Sequence, residues 1–213
     1  ESTGGDTTQT WTHTPVGTPT AIIGCNTATR DTYGNVTSWT YAGANMGTAS
    51  IIEHSSVNGG AEIWALTAGV PSGAQTTVIT WDVAPTEDRA QGTTISLTGG
   101  AIIGASGVDA TEVGTAPSVT LSPTPASTSL LIDCLTIAEG TSRTAASTNG
   151  IKYIHNEFMG TAGIAVGATW ASPTSGVMAY TLGAGSSYGF VAIEVKEGSA
   201  GVAVTIEPIF MEF

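Results

Sequence analysis

Apolar and polar residues alternate along this chain in short runs, and the runs stop at glycine, proline, asparagine and serine. In residues 61–67, "AEIWALT", an extended backbone puts Glu62, Trp64 and Leu66 on one face and Ile63, Ala65 and Thr67 on the other. In 74–82, "AQTTVITWD", Ile79 and Trp81 oppose Thr76, Val78 and Thr80. In 188–196, "YGFVAIEVK", Val191, Ile193 and Val195 oppose Tyr188, Phe190 and Ala192. Comparable runs fall near 20–28, 36–42, 48–53, 92–98, 118–122, 129–138, 151–156, 163–170 and 176–182. Turn-forming clusters such as "DTYGN", "VNGG", "VPSG", "APTED" and "SPTPAS" separate them. No long window keeps the i, i+3, i+4, i+7 spacing of an amphipathic helix. Many short strands without crossover helices predict an all-β protein, an antiparallel two-sheet sandwich of jelly-roll type. Residues 99–117 read as a long irregular connection. Residues 1–200 form the sandwich domain with an N-terminal strand arm, and 201–213 form an additional C-terminal strand or tail.

With 213 residues the chain buries enough surface to hold a core without metal or disulfide. Charged residues are only 10% of it, and 5 Lys and Arg stand against 17 Asp and Glu, a net charge of −12. That balance argues against nucleic acid, which needs a basic stripe to displace counterions, and against an anionic membrane surface. No apolar run approaches a membrane-spanning helix in length. The chain starts at Glu1 with no basic-plus-apolar leader, which leads to the expectation of a processed product. A threonine- and serine-covered, lysine-poor surface fits an extracellular or virion-surface location.

The strand order carries a resemblance. "VTSWTYAGANM", "AEIWALTAGVPSGAQTTVITWD", "ISLTGG", "ASGVDATEVGTAPSVTL", "SLLIDCLTI" and "YGFVAIEVK" follow one another over roughly residues 20–196. This succession resembles a β-sandwich, jelly-roll-like domain family found in phage and prophage structural proteins and in secreted bacterial surface proteins. The chain departs from that pattern at "LTGGAIIGASGVD", where the approach to Val108 and Asp109 is longer. The resemblance implies a binding and structural module and brings no catalytic residues with it.

Nothing in the spacing of reactive side chains points to a reaction. His13, His54 and His155 lie far apart, without a paired metal-ligand spacing, and no clustered-oxygen calcium loop occurs. Glu53 and His54 are adjacent in a strand and so point to opposite faces. Ser106, in "GASGVD", lacks the spacing of a nucleophile elbow and reads as a turn residue. A carboxylate pair for glycoside hydrolysis would have to come from Glu53, Glu62 and Glu194, which no spacing brings together. No catalytic residue, metal or cofactor is therefore assigned. Trp39 and Tyr41 share a strand face and serve either as core rings between sheets or as an exposed sugar-stacking platform. Cys25, in "AIIGCNTATRD", and Cys134, in "LLIDCLTIAEG", sit in similar surroundings. They are either two buried free thiols or a disulfide worth about 4–5 kcal/mol in the chain-entropy account.

The end of the chain, "GVAVTIEPIFMEF", is apolar to its last residue. Val202, Val204 and Ile206 share a face; beyond Pro208, Ile209, Met211 and Phe213 line one side and Phe210 the other. Left free, such a strand is an aggregation hazard. Apolar burial only offsets the entropy of ordering it, so it needs a sheet edge to supply main-chain hydrogen bonds. That edge belongs either to a neighbouring subunit or to the tail's own domain. The expectation is a non-enzymatic structural subunit of an extracellular particle, a head-decoration or tail-associated phage protein or a filament subunit. Its partners are copies of itself or other particle subunits. The alternative is a secreted carbohydrate-binding or adhesion module with a polysaccharide partner.

Overall fold

The structure, a computed structural model, describes residues 7–28, 35–54, 59–84, 90–99, 101–138, 145–147, 152–153, 164–165, 169–170, 176–182, 184–197 and 206–209. Among them are strands and no helix. The first half contributes β1 (Thr8–His13), β2 (Ala21–Ala28), β3 (Val36–Tyr41), β4 (Ala44–Asn45), β5 (Gly47–His54), β6 (Gly59–Leu66), β7 (Gln75–Trp81) and β8 (Ala90–Leu97). The second contributes β9 (Ala101–Gly114), β10 (Ser118–Thr120), β11 (Leu130–Ala138), β12 (Ala145–Ser147) and β13 (Lys152–Tyr153). It continues with β14 (Ile164–Ala165), β15 (Thr169–Trp170), β16 (Val177–Leu182) and β17 (Ser186–Glu197), and β18 (Ile206–Ile209) comes last.

The all-β, antiparallel sandwich expected from the alternation is what forms, and it is doubled. The strands make a first layer in the order β1-β7-β3-β4 and a second in the order β18-β8-β2-β6-β5. A third follows in the order β14-β11-β17-β9 and a fourth in the order β10-β16-β12, with β13 and β15 a separate pair. Three apolar cores separate the layers. Trp11, Trp39, Tyr41, Ile79 and Trp81 of the first layer meet Ile22 and Trp64 of the second. Ile23, Ile63 and Ile95 of the second meet Ile132, Val191 and Ile193 of the third. Leu135, Tyr188 and Phe190 of the third meet Val119, Met178 and Tyr180 of the fourth.

The position of a strand in this stack follows from its polarity. β1 alternates strictly between exposed and buried residues, with Gln9, Trp11 and His13 inward and Thr8, Thr10 and Thr12 outward, as an outer sheet with one wet face must. In β17 both faces are apolar. Val191, Ile193 and Val195 fill the central core, while Tyr188, Phe190 and Ala192 fill the outer one. Such a strand only fits between two cores. Residues 61–67 and 74–82 follow one another in sequence but lie in different sheets, so the Pro-Ser-Gly connection carries the chain from the second layer to the first.

Two expectations are corrected. The segment 99–117 is no irregular connection, because Ala101–Gly114 is a fourteen-residue strand paired along β17. Ser106 therefore lies within a strand, exposed and bridged to Ser122, and is no turn residue. Asp109 likewise belongs to β9, where its Oδ2 accepts from Ser118 N at 3.0 Å and Tyr188 Oη at 2.9 Å. Small residues conceal this strand from its sequence. A side chain at Gly107 would meet Val119 Cγ1 at 2.6 Å, and one at Gly104 would strike the Glu194 carboxylate. These close approaches select glycine and erase the alternation.

The two halves of the chain share one topology. The first layer has β1-β7-β3 where the fourth has β10-β16-β12. The second layer has β18-β8-β2-β6 where the third, read from its other edge, has β9-β17-β11-β14. The strand that trails the first half, β9, completes the sheet of the second half beside β17. The strand that trails the second half, β18, completes the sheet of the first beside β8. Ile206 stands opposite Leu97, and Ile103 stands opposite Val195 at the matching place. Each half thus finishes the other by strand addition.

The β3–β4 connection turns at Ala42 and Gly43, with φ of 52° and 78°. Two positive φ values in a two-residue loop are the mark of a type I′ hairpin turn, which favours Asn-Gly. Ala42 carries a Cβ in the left-handed region, at a cost of roughly 1 kcal/mol. Ala42→Asn should recover about 0.5–1 kcal/mol in urea unfolding, whereas Ala42→Val should lose stability.

Candidate functional site

Glu62 is fully buried between the first and second layers. Its Oε1 accepts from Val36 N at 3.2 Å and its Oε2 from Trp64 Nε1 at 2.7 Å, so the carboxylate braces one layer to the next. Glu194 is buried between the third and fourth layers. Its Oε1 accepts from Ser129 Oγ at 2.6 Å and Ala126 N at 3.1 Å, its Oε2 from Ala105 N at 3.1 Å, and Lys196 Nζ lies 3.6 Å from Oε2. Burial works to raise its pKa, but these donors and the Lys196 charge outweigh it and hold the group below its ordinary value.

Asp133, which sequence reasoning did not single out, is fully buried on the same face of the third layer. Burial pushes its carboxyl well above the usual range, against the opposing hydrogen bond of Tyr180, whose Oη lies 3.1 Å from Oδ1 and 2.9 Å from Oδ2. Their surroundings thus push the Asp133 and Glu194 carboxyl groups in opposite directions. They are nevertheless 0% and 1% exposed inside a packed core, with their oxygens engaged by the protein. Such a pair serves packing and offers a substrate no approach. Glu53 and His54 are consecutive in β5, and their side chains lie outside the described residues, as does His155. Among the described residues no group of three or more His, Cys, Asp and Glu is placed to hold a metal, and no helix is long and apolar enough to cross a membrane.

His13 is buried without a hydrogen-bond partner on either ring nitrogen, edge-on to Tyr41 at a centroid distance of 5.8 Å. Burial lowers its pKa from 6.5 to about 4 and raises that of Tyr41 to about 12. A depressed histidine pKa means that below 6.5 the unfolded chain takes a proton that the folded one refuses. Stability is therefore full above pH 6.5 and falls as the pH drops toward 4, by about 3 kcal/mol in all. Urea unfolding at several pH values between these limits should show the fall. His13→Phe, which keeps a ring against Tyr41, should remove that part of it.

Trp39 and Tyr41 are both 0% exposed. The sugar-platform reading of these two rings is therefore corrected to core. The reason is local: Gly24, on the facing strand, leaves room for the indole, and a Cβ there would come within 2.6 Å of Trp39 Cζ2. Trp11 stacks edge-on against Trp39 at 5.9 Å and donates from Nε1 to Thr94 Oγ1 at 3.2 Å.

Two features remain. The thiols of Cys25 and Cys134, separated by about half of the chain, are brought to the same place between the second and third layers, and both are free. The tail forms a seam, since Ile206–Ile209 pairs antiparallel with Thr94–Leu97 at the edge of the second layer within the same chain. The pairing runs through Pro208, opposite Ile95, which lacks an N–H to donate. Of the tail residues assigned to an assembly interface, Ile206 and Ile209 belong to this strand. Val202, Val204, Phe210, Met211 and Phe213 lie outside the described residues.

Comparison with known proteins adds no relative. No family model, curated protein or solved structure matches the chain. Sequence reasoning missed the matched halves, yet a signal for them exists: "IGCNT" at 23–27 and "IDCLT" at 132–136 share the spacing Ile-x-Cys-x-Thr on equivalent strands β2 and β11.

Proposed function

We propose that this protein is a non-enzymatic structural subunit on the outside of an extracellular particle, joined to its neighbours by strand addition. A phage virion surface protein, head-decorating or tail-associated, is the first candidate, and an extracellular filament subunit the second. One observation carries the reading: each half of the chain completes its sheet with the trailing strand of the other half. Strand addition is already the joint of this architecture. Its recognition is mainly through the main chain, so the β8 edge accepts the same strand from another copy as readily as from its own chain. A copy that keeps its β18 at home is closed; a copy that hands it on creates a head-to-tail contact, which propagates into a ring or a filament. The composition supports an exposed setting, with threonines on the outer face of β1 and a net charge of −12.

The carbohydrate-binding alternative loses the residues it named, since Trp39 and Tyr41 are in the core. Electron microscopy of the purified protein over rising concentration tests the proposal. Regular rings, filaments or lattices are expected. Particles that remain the size of one chain at the highest concentration would contradict it.

A further inference from the structure

Three side chains cross directly from one central layer to the main chain of the other. Cys134 Sγ lies 3.2 Å from the carbonyl oxygen of Asn26, the residue after Cys25. Cys25 Sγ lies 3.9 Å from the carbonyl oxygen of Asp133, the residue before Cys134. Thr136 Oγ1 donates to the Gly60 carbonyl at 2.6 Å. A cysteine or threonine side chain is short, and each reaches the backbone opposite. The second and third layers therefore approach here well inside the ~10 Å of ordinary face-to-face packing. Each thiol meets the residue flanking the other cysteine, on matching strands of the two halves. A disulfide needs Cα atoms roughly 4.4–6.8 Å apart, and the short reach of these two thiols onto each other's strand brings the cysteines toward that separation.

We infer that Cys25 and Cys134 form a disulfide that ties the two halves of the chain together across the central core. The reaction joins Sγ to Sγ and releases two protons and two electrons. A small disulfide such as oxidised glutathione accepts them and leaves as two thiols. The bond forms before the layers close. In the folded, reduced protein both sulfurs are fully buried, and burial, reinforced by the Cys25 thiol beside it, holds the Cys134 pKa well above the usual range. The nucleophilic thiolate is then scarce and the oxidant has no approach. The same burial protects the finished bond from reductant.

The test refolds the full chain from denaturant with oxidised and reduced glutathione, then denatures it and alkylates it for intact mass. The expected product has lost two hydrogens and takes up no alkylating agent, and its thermal midpoint lies above that of the reduced protein. Oxidant added to the already folded, reduced chain should act far more slowly. Two alkylated cysteines after oxidative refolding, or glutathione retained on either sulfur, would overturn the inference. The single variants Cys25→Ala and Cys134→Ala report independently of how well they fold. Each should carry glutathione on its remaining cysteine after the same treatment. A midpoint that rises as much in a folded single variant as in the parent protein would also overturn it.

Discussion

Trp39→Ala lowers the free energy of unfolding by about 3–5 kcal/mol. The indole is fully buried between the first and second layers, edge-on to Trp11 and directly over Gly24. Removing it leaves a hole the surrounding strands cannot collapse into. β3 is held by its pairing with β7 on one side, and the facing β2 is held between β6 and β8. Denaturant unfolding followed by circular dichroism measures the loss without relying on the deleted fluorophore. Gly24→Ala attacks the same contact from the other side, placing a methyl 2.6 Å from Trp39 Cζ2, and should cost about 1–3 kcal/mol. The double variant should lose less than the sum, because the new methyl occupies part of the space the ring vacates. A loss below about 1 kcal/mol for Trp39→Ala would mean that the first layer does not depend on this core.

Deleting residues 206–213 should abolish the proposed assembly while leaving a folded chain. The strands β8, β2, β6 and β5 of the second layer stay paired with one another when β18 is gone, and the central core that includes Ile95 and Leu97 is shared with the third layer. What the deletion removes is the pairing of Ile206–Ile209 along Thr94–Leu97. The thermal midpoint should then fall by a few degrees, since about 1 kcal/mol is worth roughly 2–4 °C in a chain of this size. Assembly, if strand addition is its joint, should disappear altogether. Sedimentation velocity and thermal melts on the full and truncated chains separate the two effects. A truncated chain that unfolds at ordinary temperature would assign the tail to its own core and not to a joint.

The outer strands were legible in the sequence because one of their faces is wet: β1, β7 and β16 alternate buried and less buried residues. The run at 129–138 was legible as a strand but not as an inner one. Both its faces are buried, and the polar Asp133 in its middle is accommodated by Tyr180 from a strand more than forty residues away. β9 was invisible because Gly104 and Gly107 answer to neighbours that only the folded chain brings up. The number of layers could not be read from alternation either, because a strand with two apolar faces specifies two contacts without naming them. Of the candidate residues, the cysteines were legible as a pair through their matching surroundings. The aromatic pair was ambiguous because burial of Trp39 depends on Gly24, fifteen positions away on a different sheet. The tail was legible as a strand in need of an edge, and the structure supplies one at β8.

Whether that edge also receives the strand of a second copy is decided by a cross-link between chains. Glu207 stands opposite Ser96 in the β18–β8 pairing. One preparation carries Ser96→Cys and another Glu207→Cys, both in a Cys25→Ala/Cys134→Ala background, and the two are mixed, partly unfolded, refolded together and oxidised. Strand addition between copies predicts a disulfide-linked pair of unlike chains, at a yield that rises with concentration. If the bond forms only inside a single chain carrying both substitutions, and never between the two singly substituted chains, β18 is a private strand and the account of this protein as a strand-joined subunit is wrong.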